Sequence, residues 1–359
     1  MSGEVSSEIS ELSKQGYALL KQNRAGEAKN IFSHILDREP INNYALVGIG
    51  DCERKHGNFD AATAYYQKCL EIYPDNNYAL FGLADCYKAL NRFDKAIPLW
   101  EQYILRDSRN ITVLTRIADA YRKFRNFKKS KELYFRVLDM ESNNSYALIG
   151  LGHLHYDFKE YEEALKYWTR VLDKDSGRVD IRVLTSIGNC HRKLKTFDRG
   201  VEFFQLALEK DPKNFYALFG LADCYRGMNK QHLSIQYWDR ILEIDPDNKV
   251  ILTRIGDAYR NSDDYATAIS YYERALDIDF DEYALMGLAF IEKLRGNYDD
   301  AIARLNRLIQ SDPKNYRFYI DCADCYLKMN KKNKAIEVLH NALNADVKNQ
   351  AITDMLAAI

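Results

Sequence analysis

Residues 78–87 read Tyr-Ala-Leu-Phe-Gly-Leu-Ala-Asp-Cys-Tyr, and residues 216–225 repeat all ten letters. A close variant, Tyr-Ala-Leu-Val-Gly-Ile-Gly-Asp-Cys, fills residues 44–52 and begins 34 residues before the first of these copies. Self-similarity at a period of about 20–50 residues indicates an array of stacked supersecondary units. This internal repeat therefore takes precedence over the two or three ordinary domains that the length of 359 residues would otherwise suggest.

The 34-residue step frames nearly the whole chain. Counted from Ile9, with two extra residues near Val179 and one missing near Phe280, it defines ten units, which span 9–42, 43–76, 77–110, 111–144, 145–178, 181–214, 215–248, 249–281, 282–315 and 316–349. A polar leader, residues 1–8, precedes them. Residues 350–359 follow them, and we expect a short closing helix over the tenth unit there, with a frayed terminus as the alternative.

Within each unit the apolar residues have helical spacing. A first helix carries large residues at unit positions 4, 7 and 11 and a small one at position 8, and a second helix carries a small residue at 20 and an aromatic one at 24. Residues that favour turns stand between the two helices of several units: Gly57, Asn91, Asn229, Asp263 and Gly296. Proline, which cannot continue a helix, stands at position 32 of five units: Pro40, Pro74, Pro212, Pro246 and Pro313. Because one hairpin cannot bury both of its faces, the pattern predicts an all-α solenoid of stacked helical hairpins.

This pattern resembles the tetratricopeptide repeat family, and the resemblance covers 341 of the 359 residues. It implies a right-handed superhelix whose first helices line a concave groove, with unit positions 2, 5, 9 and 12 facing a bound peptide. Helical spacing independently places these four positions on one stripe, since 3, 4 and 3 residues separate them.

The same residue types recur at the same stripe positions in several units. Position 9 is Asp in six units, position 12 is Arg or Lys in seven, and position 2 is Tyr in five, including Tyr146 and Tyr283. An Asp/Arg pair of this spacing is either a solvated ion pair, worth about 0.2–0.5 kcal/mol to its helix, or part of a row of polar groups that fixes an extended peptide. The candidate groove residues are Tyr44, Asp51, Arg54, Tyr78, Phe81, Asp85, Lys88, Thr115, Asp119, Arg122, Thr185, Asn189, Arg192, Tyr216, Phe219, Asp223, Arg226, Thr253, Asp257 and Arg260.

Alternate units differ at position 6. Units three, five, seven and nine carry Gly there, units four and eight carry Arg, and the three tryptophans fall only in units of the Gly type. One interpretation is descent from a duplicated pair of hairpins. The other is that Gly makes room for a partner at every second hairpin, in which case Gly220→Leu should weaken binding and leave the melting temperature nearly unchanged.

Several classes of function are disfavoured. With 51 basic and 52 acidic residues the net charge is −1, so we expect no nucleic-acid binding. No stretch approaches the roughly 20 apolar residues of a membrane helix. The motifs of metal, nucleotide and nucleophilic catalytic sites are missing, and Cys322-Ala-Asp-Cys325 has its second cysteine in a register that recurs as a packed residue. We therefore expect no catalytic residue, metal or cofactor, and an odd number of reduced cysteines in the cytoplasm.

The sequence thus predicts a non-enzymatic scaffold or adaptor that binds a protein or peptide along the groove. The family's clamp for carboxylate tails is disfavoured, because position 5 is never Lys. Two alternatives stay open: a regulatory or substrate-recruiting subunit of an enzyme complex, and a structural element that self-associates through its end repeats.

Overall fold

The computed structural model describes residues 2–174 and 179–359, which contain 21 α-helices and no strand. The end of the predicted fifth unit, residues 175–178, lies outside the described residues. The chain divides into two compact units, one on each side of this gap. The amino-terminal unit holds α1 (Ser2–Lys21), α2 (Ala25–Arg38), α3 (Asn43–Lys55), α4 (Phe59–Ile72), α5 (Asn77–Ala89), α6 (Phe93–Ile104), α7 (Ile111–Lys123), α8 (Phe127–Met140), α9 (Ser145–Asp157) and α10 (Tyr161–Lys174).

The carboxy-terminal unit holds eleven further helices. They are α11 (Ile181–Lys193), α12 (Phe197–Lys210), α13 (Phe215–Gly227), α14 (Gln231–Leu242), α15 (Lys249–Arg260), α16 (Tyr265–Ile278), α17 (Glu282–Arg295), α18 (Tyr298–Ser311), α19 (Tyr316–Lys328), α20 (Lys332–Asn344) and α21 (Gln350–Ala358). Within each unit every helix packs on the next one along the chain. The predicted fold class, an all-α helical repeat solenoid, is confirmed.

The odd-numbered helices from α3 onward begin at a side-chain cap. At α3, α5, α7, α9, α13 and α15 an Asn carbonyl oxygen accepts a hydrogen bond from the backbone N–H three residues on, as Asn76 does from Ala79 at 3.0 Å. Such a cap satisfies one of the backbone donors that a helix leaves free at its start, and is worth about 1 kcal/mol.

The turns between paired helices contain a residue in the left-handed region. Gly57 and Gly296 have φ of 80° and 82°, and Asn91, Asn229 and Asp263 have φ near 60°. Gly, Asn and Asp reach this region at lower cost than other residues. The five turn tips predicted from sequence therefore have the backbone conformation for which these residues are suited.

The core is built around the residue at position 24 of the even-numbered helices, which is aromatic in α2 to α16 and leucine in α18 and α20. The eight aromatic side chains are at most 1% exposed: Phe32, Tyr66, Trp100, Tyr134, Trp168, Phe204, Trp238 and Tyr272. Small residues on the odd-numbered helices leave room for them. A Cβ on Gly50 would lie 2.7 Å from a ring carbon of Tyr66, and one on Gly188 would lie 2.9 Å from Phe204.

Both ends of the described chain are helical. Helix α1 begins at Ser2 and so runs through the residues predicted as a polar leader. At the other end α21 buries Ile352 in a cluster with Tyr319 and Leu339, which lie on α19 and α20. This contact covers apolar surface of the last hairpin.

Candidate functional site

The most exposed aromatic residues lie at position 2 of the odd-numbered helices. Tyr44, Tyr78, Tyr146, Tyr216 and Tyr283 are between 60% and 78% exposed. Each is the second residue of its helix, directly after the cap and its neighbour. The tyrosines that sequence analysis placed on the stripe are therefore open to solvent, although side chains of this size are usually at least half buried.

A cavity of about 1090 Å³ lies in the amino-terminal unit, against α1, α3 and α5. Its lining includes Tyr44 and Asp51 of α3, Tyr78 of α5, and Ser13 and Tyr17 of α1. These are residues of stripe positions 2, 5 and 9 in three successive odd-numbered helices. The hydroxyl of Tyr17 donates a 3.0 Å hydrogen bond to the carbonyl oxygen of Tyr44, which ties α1 to the start of α3.

The stripe carboxylates fall into two classes, and the first is bound by a buried tyrosine. The hydroxyls of Tyr66, Tyr134 and Tyr272 donate to Asp51, Asp119 and Asp257 at 2.6–2.8 Å. Burial, reinforced by the facing carboxylate, raises the pKa of these tyrosines, so they stay protonated donors. In each case the Arg at position 12 of the same helix also faces the Asp, at 3.0 to 3.7 Å.

The second class is bound by arginines from neighbouring hairpins. Asp223 is 4% exposed. Its Oδ2 accepts from Arg192 of α11 at 2.9 Å, and its Oδ1 accepts from Arg254 of α15 at 2.9 Å and from Arg226 of its own helix at 3.2 Å. Three guanidinium groups therefore converge on one buried carboxylate and join three odd-numbered helices.

Asp85 has a similar environment in the amino-terminal unit, with two arginines in place of three. Arg116 of α7 donates to its Oδ1 at 2.5 Å, and Arg54 of α3 lies 3.5 Å from its Oδ2. Burial raises the pKa of the Asp85 carboxyl, against the opposing charges of Arg116, Arg54 and Lys88. Lys88 is partly exposed and, among the described residues, has no ion-pair partner within 4 Å, so its ammonium group is available.

These contacts explain the alternation at position 6. A Tyr or Phe at position 24 fills the space above Gly of the next hairpin: a Cβ on Gly48 would lie 2.6 Å from Phe32, and one on Gly82 or Gly220 would overlap Tyr66 or Phe204. After Trp100 and Trp238, which reach no Asp, the next hairpin instead supplies Arg116 or Arg254. Each of these guanidinium groups lies 4.8 Å from the ring of Phe81 or Phe219.

The hypothesis that Gly220 makes room for a partner is therefore wrong. The space belongs to the ring of Phe204, a fully buried core residue. We therefore expect Gly220→Leu to lower the melting temperature, because the added side chain would displace this ring.

The remaining stripe residues are placed as follows. Thr185 and Thr253 are buried, and the hydroxyls of Thr115, Thr185 and Thr253 donate to carbonyl oxygens of their own helices at 2.9 to 3.1 Å. The side chain of Asn189 accepts from Arg192 at 3.2 Å. These groups face the protein more than a ligand.

Sequence analysis missed three residues of the network. Arg116 and Arg254 lie at position 6, outside the predicted stripe, and Asp157 of α9, at position 13, accepts from Arg122 at 2.5 Å. The signal for the two arginines was their place one hairpin after a tryptophan. Asp157 had no signal, since its partner lies 35 residues away.

The cysteines behave as packed residues. All seven are buried and free of disulfides. Burial raises the pKa of the Cys52, Cys224 and Cys322 thiols to about 12, so they are protonated at neutral pH and poor nucleophiles. In the described residues no group of His, Cys, Asp and Glu has the arrangement of a metal site. The described part of the chain also has no helix long and apolar enough to cross a bilayer.

Comparison with solved structures identifies other repeat proteins of the same kind. A tetratricopeptide repeat protein from Parabacteroides merdae is 13% identical, with a TM-score of 0.56 over 70% of this chain and 98% of that one. The protein MamA is 20% identical, with a TM-score of 0.44 over 47% and 91% of the two chains. YrrB, described as a TPR protein with an unusual peptide-binding site, is 18% identical, with a TM-score of 0.45 over 52% and 96%. At these identities the likeness concerns the fold alone.

A comparison with curated protein sequences found no match. Models of the tetratricopeptide repeat, in contrast, match residues 13–77, 53–115, 115–179, 203–236, 251–282 and 294–359. Together these segments cover most of the chain and both of its compact units, in agreement with the helical hairpins described above. The chain belongs to the tetratricopeptide repeat family.

Proposed function

We propose that this protein is a non-enzymatic scaffold that binds a peptide or a partner helix along the surface of its odd-numbered helices. Tetratricopeptide repeats are in general protein-interaction modules, and the finer assignment rests on where this chain exposes its aromatic residues. The observation that carries it is the exposure of the position-2 tyrosines in both compact units: they are between 60% and 78% exposed, whereas the eight aromatic residues at position 24 are at most 1% exposed.

Exposed tyrosines suit protein recognition for a physical reason. A tyrosine brings a large contact area and a hydroxyl that can donate or accept, and it loses little conformational entropy when it is fixed. Tyrosine is accordingly enriched in interface cores and among the residues that dominate binding energy. The cavity beside Tyr44 and Tyr78 has the size expected of a site for part of a peptide.

In this proposal the charged residues of the stripe have two roles, one structural and one in binding. Asp85 and Asp223 are buried, so they hold arginines in place and do not themselves contact the partner. Arg226 and Arg260 keep exposed donors and would contact it. The ionisable side chains of this surface are mostly paired with one another, as structural ion pairs are.

The test is affinity capture from an extract of the source cells. Immobilised wild-type protein is compared with Tyr78→Ser/Tyr216→Ser/Tyr283→Ser, and with Leu105→Ser/Leu206→Ser as a matched control that removes exposed apolar side chains outside the odd-numbered helices. Quantitative mass spectrometry should recover a partner with the wild type and the control, and lose most of it with the tyrosine variant. Equal recovery with all three proteins would contradict the proposal, provided that circular dichroism shows the same helix content.

A further inference from the structure

The carboxy-terminal unit carries an excess of positive charge on its odd-numbered helices. Arg192, Arg226 and Arg254 surround the single carboxylate of Asp223, and the next carboxylate, Asp257, is paired with Arg260 at 3.2 Å. Four guanidinium groups thus face two carboxylates, which leaves two positive charges uncompensated on α11, α13 and α15. The side chain of Asp223 is only 3% exposed, so a ligand can reach the arginines and not their counter-ion.

The geometry of these arginines leaves donors for a ligand. Arg226 is the most exposed, at 46%, and only one of its terminal nitrogens bonds Asp223. The guanidinium carbon of Arg254 lies 4.8 Å from the centre of the Phe219 ring and one of its nitrogens bonds Asp223, so its orientation is fixed before any ligand arrives. Burial lowers the pKa of the Arg254 guanidinium, and the like charges of Arg226 and Arg192 lower it further against the effect of Asp223. A second anion at this place would relieve that repulsion.

An apolar surface continues from this cluster. On α17 the side chains of Tyr283, Met286, Phe290 and Leu294 are between 39% and 69% exposed. They follow one another at steps of 3, 4 and 4 residues, which places them on one face of the helix. Position 9 of this hairpin is Phe290 where six other hairpins have Asp, and the guanidinium of Arg260 lies 5.4 Å from its ring. The basic cluster and the apolar face are therefore joined through α15.

Charge on the far side of α17 gives the surface a direction. There Lys293 lies 2.8 Å from Asp321 and 2.9 Å from Asp324, so one carboxylate is in excess. An acidic group is attracted to the α13–α15 side of the apolar face and repelled from the α19 side.

We propose that this surface binds a peptide segment of another protein that carries acidic residues at one end and large apolar side chains at the other. The acidic end lies over Arg192, Arg226 and Arg254, and the apolar end covers Tyr283, Met286, Phe290 and Leu294. Arginine–carboxylate pairs fix the direction of the segment, and the apolar contact supplies most of the affinity. The inference rests on the proposed function and names the chemistry of the partner.

The amino-terminal compact unit provides a matched control. Lys88 occupies in residues 78–88 the place that Arg226 occupies in residues 216–226, beside an identical ten-residue stretch. Helix α9 stands two odd-numbered helices after α5, as α17 does after α13. It has His153 and Asp157 where α17 has Phe290 and Leu294. Removal of Lys88 should therefore leave binding of this segment unchanged, whereas removal of Arg226 should weaken it.

The experiment starts with a random 16-residue peptide library displayed on phage and selected against the full chain. The strongest peptide is measured by fluorescence anisotropy with the wild type, Arg226→Gln, Phe290→Ser/Leu294→Ser and Lys88→Gln, and again after its acidic residues are changed to amides. Arg226→Gln leaves Asp223 bonded to Arg192 and Arg254, so the fold is kept. We expect a loss of about fivefold or more for Arg226→Gln and for the amide peptide, of about tenfold or more for the α17 variant, and none for Lys88→Gln.

Each other outcome overturns one or both proposals. If the α17 variant weakens binding while Arg226→Gln and the amide peptide do not, the acidic chemistry is wrong and the proposed function stands. If no peptide is selected, or if no variant of the odd-numbered helices weakens binding, both are wrong. If a 20-nucleotide single strand binds in an Arg226-dependent way and no peptide does, the surface is a nucleic-acid interface and the inference fails.

Discussion

Neutralisation of Asp223 should destabilise the carboxy-terminal unit far more than the same change at Asp257. In Asp223→Asn the guanidinium groups of Arg192 and Arg254, only 22% and 31% exposed, lose the negative charge that compensates their burial. The amide also presents donors to arginines that have only donors. In Asp257→Asn the carboxylate removed is 36% exposed, and the hydroxyl of Tyr272 can still donate to the new amide oxygen.

The magnitude follows from the burial of the partners. Loss of one member of a buried ion pair costs about 3–5 kcal/mol, and the lower end applies here because Asn still accepts a hydrogen bond. We therefore expect a loss of about 3 kcal/mol for Asp223→Asn, with Arg226 contributing little because it is nearly half exposed. For Asp257→Asn we expect about 1 kcal/mol or less.

The assay is urea unfolding followed by tryptophan fluorescence and circular dichroism. Trp238 is fully buried among Leu218, Ile251 and Ile255, so it reports on the packing of the affected hairpins. A double variant, Asp223→Asn/Arg254→Gln, should recover part of the loss, since it removes an unpaired charge. Equal midpoints for the two single variants, or a loss below about 1 kcal/mol for Asp223→Asn, would refute the reasoning.

Four further predictions can be checked on the purified protein. Gly220→Ala should lower the free energy of unfolding by about 1–3 kcal/mol because its methyl group meets a buried ring. Gly26→Ala, with open space at its Cβ, should leave the free energy of unfolding unchanged or raise it by up to about 1 kcal/mol. Urea unfolding of the two variants measures both changes. Burial lowers the pKa of His153 below its unfolded value, so the unfolded chain binds more protons and stability should fall as the pH drops below about 6.5; His153→Gln should flatten the melting temperature between pH 7.5 and 5.5. None of the seven cysteines should react with a thiol reagent at pH 7 until urea is added. Tyr78→Ser should leave the free energy of unfolding, measured in urea, within about 0.5 kcal/mol of wild type, because that side chain is 77% exposed.

The sequence was sufficient for the fold because the period repeats the same packing problem. Small residues at positions 8 and 20 and a large aromatic at 24 specify one hairpin, and the stacking of hairpins follows from their two apolar faces. The left-handed turn residues were predictable where the residue is Gly, Asn or Asp, as at Gly57 and Asn91. Arg125, Lys159 and Lys195 adopt the same conformation without such a signal. The Asn caps of the odd-numbered helices carried an equally clear signal that the repeat frame did not use.

The network on the odd-numbered helices was only partly predictable. Spacing within one helix places Asp223 and Arg226 together, and they do meet. It contains no information about Arg192 and Arg254, which reach Asp223 from hairpins 31 residues before and after. Nor does it distinguish an exposed carboxylate from a buried one. The distinction depends on whether position 24 is a tyrosine that can bond the Asp or a tryptophan that cannot.

The central claim, that a partner lies along the odd-numbered helices, is tested most directly by hydrogen exchange. Amide exchange of the full chain is measured by mass spectrometry with and without the selected peptide at saturation. The account predicts slower exchange in α13, α15 and α17 and unchanged exchange in α14 and α16. Protection confined to α14 and α16, or no protection at all in the presence of bound peptide, would contradict it.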